Sequence, residues 1–207
     1  MKIYKKNSVE KSYCENGYLA EETNFKNGKK EGIKKYYYEN GKLAGESNYK
    51  NDKKDGIEKW YCENGNLEEK STYKNGKREG IKKWYYESGE LLAEFNYING
   101  KEEGIQKCYY KNGKLQFEVN CINNKAEGIK KWYYESGELY LKTNYKNGRA
   151  DGIEKCYFQN GNLERETNYK NCKKEGSEKL YSENGELKSE VSYRVSKSYY
   201  EKGLSNE

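Results

Sequence analysis

The chain has 207 residues, of which only 33% are hydrophobic and 36% are charged, and its mean hydropathy is −1.39. That balance would suit a disordered chain, but 24 Tyr and 3 Trp supply an interior in which tyrosine stands in for aliphatic side chains. The chain has no His, which removes the commonest general base and the commonest metal ligand. No apolar run approaches the ~20 residues of a membrane-spanning helix. The 40 basic and 34 acidic residues alternate in sign within almost every block of ten. A mixed, solvated surface is therefore expected, and a nucleic-acid partner is argued against.

Residues 1–7 read as a lead-in. They carry charge with no apolar stretch behind it, so no signal peptide and a cytoplasmic location are expected. An exported or surface-associated location is the alternative. From residue 8 to 199 a 24-residue period organises the chain. Gly17, Gly41, Gly65 and their successors to Gly185 are spaced by 24, as are series beginning at Leu19, Tyr13 and Lys11, each in eight copies. A second glycine recurs from Gly32 to Gly176. Residues 200–207 read as a tail.

Within one unit, Ile33 to Glu39 is rich in β-branched and aromatic types and is predicted to be a strand. Asn40-Gly41 reverses the chain, Leu43 to Tyr49 is a second, more polar strand, and a longer loop from Asn51 to Gly56 closes the unit. The glycines and the lack of a 3.6-residue apolar spacing exclude helix. The predicted fold is all-β: an elongated, twisted antiparallel meander of β-hairpins, one per repeat, in about eight copies.

Two registers are open at Asn40-Gly41. A two-residue turn pairs Glu39 with Lys42. A three-residue loop with left-handed Gly41 pairs Tyr38 with Lys42 and Tyr37 with Leu43. The second is preferred. It places the most regular positions, Ile33, Lys35, Tyr37, Leu43 and Tyr49, on one face, which is assigned to packing. The other face holds Lys34, Tyr36, Tyr38, Lys42, Ala44, Glu46 and Asn48. Its copies vary more and are assigned to recognition. The candidate partner-binding residues on it are Tyr36, Trp60, Trp84, Tyr86, Tyr110, Trp132 and Tyr134, since aromatic rows anchor partners or stack on sugars.

The six cysteines recur in repeat phase. Cys14 and Cys62, or Cys108 and Cys156, lie two repeats apart, about 19 Å, too far for a disulfide. They are expected to be free thiols filling small buried places, with Cys172 exposed in a loop. No CxxC pattern is present, so no zinc site is expected. The lysines of the Lys35 and Lys59 series either track an anionic polymer or lay their stems along tyrosine rings. The Glu46 series neutralises part of that row. Lys34 with Glu46 exchanges sign to Glu58 with Lys70, but Lys130 with Lys142 breaks this pairing.

The segments Gly80-Ile-Lys-Lys-Trp-Tyr-Tyr-Glu-Ser-Gly-Glu-Leu and Tyr73-Lys-Asn-Gly-Lys-Arg-Glu-Gly80 resemble the bacterial variant of the MORN repeat. The resemblance covers about residues 8–193. It implies hairpin repeats in an elongated sheet and a non-catalytic scaffold for protein association, often labelled an antitoxin component. It supplies no catalytic residue, cofactor or metal. The Trp-Tyr-Tyr and Asn-Gly elements also resemble aromatic cell-wall-binding repeats at a different spacing, which leaves a glycan- or envelope-binding role as the alternative.

Overall fold

The computed structural model describes residues 7–193. The tail expected at 200–207, residues 1–6 of the lead-in and residues 194–199 of the array lie outside them. The described residues form one antiparallel sheet of 19 strands and no helix. Apart from three two-residue strands, each strand pairs with the next in the chain, from Asn7–Tyr13 on Leu19–Lys26 to Lys173–Tyr181 on Leu187–Tyr193. Lys77–Arg78, Lys101–Glu102 and Lys125–Ala126 are short openings of the strands that follow them. Counted with those strands, there are two strands per repeat. Sixteen such strands at ~4.8 Å each make a ribbon on the order of 70 Å long.

Each hairpin closes on a three-residue loop, as preferred from the sequence. In the second repeat the Gly41 N–H donates to the Tyr38 carbonyl and the Tyr38 N–H to the Lys42 carbonyl, both at 2.9 Å. Gly41 lies at φ 80°, a conformation glycine reaches without steric cost. The Asn40 side chain accepts the Lys42 N–H at 3.0 Å.

One step further the register slips. Tyr37 pairs with Leu43, but Tyr36 pairs with Gly45, so Ala44 is an extra residue. The same bulge recurs in all eight hairpins. An insertion of one residue sends every later side chain to the opposite face. Glu46 and Asn48 therefore pair with Lys35 and Ile33, and Ser47 pairs with Lys34. Tyr49 moves to the face of Tyr36. This corrects the sequence-based faces in two ways. Their membership changes after Leu43, and the packing assignment inverts. Ile33, Ile81 and Ile105 are 39, 52 and 58% exposed, whereas Ser47, Gln106 and Thr167 on the other face are at most 1% exposed.

The second reversal is tighter than the long loop expected. Lys50 pairs with Lys53 across Asn51 and Asp52, whose φ angles are 49° and 67°. Two consecutive positive φ angles make a two-residue turn whose twist matches the strands. All seven such turns begin with Asn. Residues 53–56 belong to the strand Lys53–Tyr61. Gly56, at φ 111°, is an irregularity inside that strand. The Asn48 side chain bridges the gap there, its Nδ2 donating to the Ile57 carbonyl at 2.7 Å.

Ladders at both edges tie each repeat to the next. The Gly76 N–H donates to the Lys54 carbonyl at 2.7 Å and the Gly100 N–H to the Arg78 carbonyl at 2.8 Å. Carboxylates one layer in accept the neighbouring turn amide: Asp55 from Asn75 at 3.0 Å and Glu79 from Asn99 at 2.9 Å. At the loop edge the hydroxyls of Tyr86, Tyr110 and Tyr134 donate to the carbonyls of Tyr109, Tyr133 and Tyr157 at 2.9, 2.7 and 2.8 Å. A Tyr86→Phe variant should lose about 1 kcal/mol in urea melts, the usual net worth of one hydrogen bond. An unchanged midpoint would show that the hydroxyl does not hold the next repeat.

Candidate functional site

The bulge gathers the aromatic side chains on one face in rows that run across the strands. One row reads Tyr36, Gly45, Trp60, Glu69, Trp84, Ala93 through its pairings, then continues through Cys108, Phe117, Trp132, Leu141 and Cys156. Large and small residues compensate along it. Trp60 lies flat on Gly45, where an added Cβ would sit 2.5 Å from the indole. Its ring centroid is 4.9 Å from Tyr36. Trp132 packs on Phe117 at 4.6 Å, and Trp84 meets Phe95 edge-on at 5.2 Å.

Beside this row runs one of charged or amide side chains: Lys34, Glu58, Lys82, Gln106, Lys130 and Glu154. The lysines lie over rings. The Nζ of Lys34 is 4.6 Å from the Tyr36 centroid, that of Lys82 4.1 Å from Trp84, and that of Lys130 4.5 Å from Trp132 and 4.7 Å from Phe117. Such contacts strengthen when water is excluded. Lys82 also pairs with Glu69 at 2.8 Å, yet burial holds its ammonium below the usual lysine range. Lys34 pairs with Glu21 at 2.8 Å, and Glu46 faces Lys35 and Lys59 instead. The row was unreadable from sequence because its members look like ordinary surface charges until the bulge places them among rings.

Glu58 is 3% exposed and accepts the Ser47 hydroxyl at 2.7 Å. Burial pushes its carboxyl up, but hydrogen bonds from Lys54 and Ser47 outweigh that and hold it below the usual range. A depressed carboxylate contributes stability above its unfolded pKa and loses it as pH falls through the folded value. Melts from pH 7 downward should therefore show Glu58→Gln losing less stability on acidification than the parent chain. An equal loss in both would remove Glu58 from the acid response.

The seven sequence-predicted partner residues all lie on this aromatic face and are half-buried. Tyr36, Trp60, Trp84 and Trp132 share the central row, and Tyr86, Tyr110 and Tyr134 lie beside it toward the loops. Their packing is internal to the sheet, and no second layer of described residues covers them.

The other face is built differently. Its lysine row is interrupted by carboxylates, though Lys59, Lys70 and Lys83, and again Lys131, Lys142 and Lys155, follow one another without one. Lys59 meets Glu46 at 3.0 Å, Lys83 meets Glu94 at 2.7 Å, and Lys131 meets Glu118 at 3.1 Å. The hydroxyls of Tyr109 and Tyr133 join Glu94 and Glu118. These carboxylates neutralise part of the cation track. Next to it stand the isoleucines. Ile57, Ile129 and Ile153, with those named above, are 39 to 58% exposed at intervals of one repeat.

The six cysteines are free thiols. Cys108 and Cys156 take ring positions in the aromatic row, and burial pushes both up to about 11. Cys172 is exposed in a turn at φ 66°, where the preceding repeat has Gly148 at φ 77°. At neutral pH a thiol reagent should label Cys172 first. Cys172→Gly should raise the unfolding free energy slightly, by roughly 0.5–1 kcal/mol in urea melts, because glycine relieves the left-handed strain. Stabilisation absent or reversed would mean the turn carries no such strain.

Among the described residues no group of side chains could hold a metal ion, and no helix is long and apolar enough to cross a membrane. A search of curated proteins found no match to the chain. A family profile described as MORN repeat variant matches seven consecutive segments, at residues 30–51, 54–75, 78–99, 102–123, 126–147, 150–171 and 174–194. The hairpin of Asn7–Tyr13 and Leu19–Lys26 adds an eighth copy of the same geometry ahead of them. The repeats account for nearly all of the described sheet, so this repeat scaffold belongs to the MORN repeat variant family.

Proposed function

We propose that the chain is a non-catalytic scaffold that holds a protein partner along its isoleucine face. The observation that carries this reading is the solvent-facing row from Ile33 to Ile153. At a strand position facing water, threonine offers the same β-branching as isoleucine without exposing an apolar side chain. Apolar choices repeated at one spacing present a linear strip that gains free energy when covered, at roughly 25 cal/mol per Å². Each repeat offers the same local contact, so affinity grows with the number engaged. An antitoxin-like role, with a second protein neutralised by binding, fits the same strip.

The test replaces Ile81, Ile105 and Ile129 together by lysine and compares co-purification at moderate salt with the parent chain. A stoichiometric protein partner lost from the variant, with the urea midpoint preserved, supports the reading. A partner retained in full refutes the strip. The aromatic face supports a second reading, because Tyr140, 40% exposed and 5.0 Å from Tyr134, leaves a ring open beside the half-buried row. Retention on polysaccharide, abolished by Tyr140→Ala, would favour a glycan there, held by Tyr36, Trp60, Trp84, Tyr86, Tyr110, Trp132 and Tyr134.

A further inference from the structure

The alternation of charge along the chain becomes segregation across the sheet. Seven two-residue turns line one long edge. Of the fourteen residues that flank them, twelve are Lys or Arg, and the other two are Ile98 and Ile122. All twelve cations are exposed. Most carboxylates nearest this edge accept backbone amides, as Glu31 does from Asn51 at 2.9 Å, Glu103 from Asn123 at 3.0 Å and Asp52 from Lys30 at 2.8 Å, while Asp151 pairs with Lys170 at 3.2 Å. Between consecutive turns lie open clefts. One of about 700 Å³ is walled by Lys50, Lys53 and Lys74 with Asp55 and Glu79, and another of about 390 Å³ by Lys125, Lys146, Arg149 and Lys170 with Asp151.

The opposite long edge carries the eight three-residue loops. Six of them open with Glu, and three are followed by Glu, as at Glu87 and Glu90. Only Lys42, Lys111 and Lys114 oppose these nine carboxylates. Two of the three are turned onto the next loop: Lys42 Nζ donates to the Glu63 carbonyl at 2.8 Å and Lys114 Nζ to that of Ser136 at 2.6 Å. Both edges are generated by one repeat, so their charges advance by the same step, about 9.6 Å for two strands.

We propose that copies of this chain associate side by side, the lysine edge of one against the glutamate edge of the next. A second copy is the occupant that both edges share, because it is commensurate with each along its whole length. A polymer of phosphates would answer the lysine edge alone. The contact joins unlike edges, so it does not close on itself, and it adds copies into a ribbon. Both faces stay open, and the isoleucine strip would be multiplied across the ribbon, so this inference stands independently of which face binds a partner.

Sedimentation velocity of the full chain tests it. Mean mass should rise roughly twofold or more between about 500 mM and about 20 mM salt, because exposed charges are screened beyond a few ångströms at high ionic strength. A variant with Lys26, Lys29, Lys50, Lys53, Lys74, Lys77, Lys101 and Lys125 changed to Glu has two acidic edges. A variant with Glu63, Glu87, Glu90 and Glu135 changed to Lys has two basic ones. Each should stay monomeric alone, with an unchanged circular dichroism spectrum, and an equimolar mixture should associate. A parent chain monomeric at low salt, association that persists at high salt, or a mixture that stays monomeric would overturn the proposal. So would a parent chain that binds a thymidine oligonucleotide at low salt without self-association.

Discussion

Trp84→Ala is expected to lower the unfolding free energy by about 3 kcal/mol, near the lower end for removing a large aromatic from a packed site. The ring meets Phe95 at 5.2 Å, carries the Lys82 ammonium at 4.1 Å and pairs across the strands with Glu69 and Ala93. Ile81→Ala, three residues earlier and 52% exposed, should cost less than about 1 kcal/mol, as surface substitutions do. Urea melts read by circular dichroism compare the two. The contrast is the signature of the bulge, since alternation carried straight through Leu43 predicts the opposite order. Because each repeat leans mainly on its neighbours, the loss should also show as local fraying in hydrogen exchange around residues 69–95.

The second large effect concerns the buried pair in the charged row. Glu69→Ala leaves Lys82, 6% exposed, without its carboxylate. Breaking one side of such a pair costs about 3–5 kcal/mol, because the remaining charge has lost both water and partner. Replacing both, as Glu69→Leu with Lys82→Met, should recover most of that loss, since similar volume without charge is often neutral. The melts therefore separate two accounts. A double variant as unstable as Glu69→Ala would mean that packing of the side-chain stems, rather than the stranded charge, sets the cost.

Much of the fold was legible in the sequence. The 24-residue period gave the hairpins, and the glycine of Glu39-Asn40-Gly41 gave the loop type and the Tyr38–Lys42 pairing. The faces were not legible, because Ala44 looks like any strand residue. Nothing in its chemistry marks it as the inserted one, and a single insertion reverses the assignment of Tyr49, Glu46 and Asn48. Gly56 misled in the opposite sense. It reads as the end of a loop, whereas the turn is at Asn51-Asp52 and the glycine serves an irregular pairing beside Asn48. The exposed isoleucines were taken for core for a related reason: regularity was equated with packing. A strip that must stay continuous for a partner is as regular as a core. The charge stripes were invisible because alternation within ten residues becomes sorting by edge only after the chain folds at the repeat spacing.

The claim on which the rest depends is that the Ala44-type bulge turns the isoleucines outward and buries the charged row. Ile105 and Gln106 are adjacent in sequence, 58% and 1% exposed, and lie on opposite faces. Ile105→Cys and Gln106→Cys, each placed in a chain with Cys172→Gly, should differ sharply in reaction with a thiol reagent under native conditions. The account predicts rapid labelling at position 105 and slow labelling at position 106, with equal rates once urea unfolds both. Rapid labelling at 106 with protection at 105 would contradict it and return the isoleucines to the packed face.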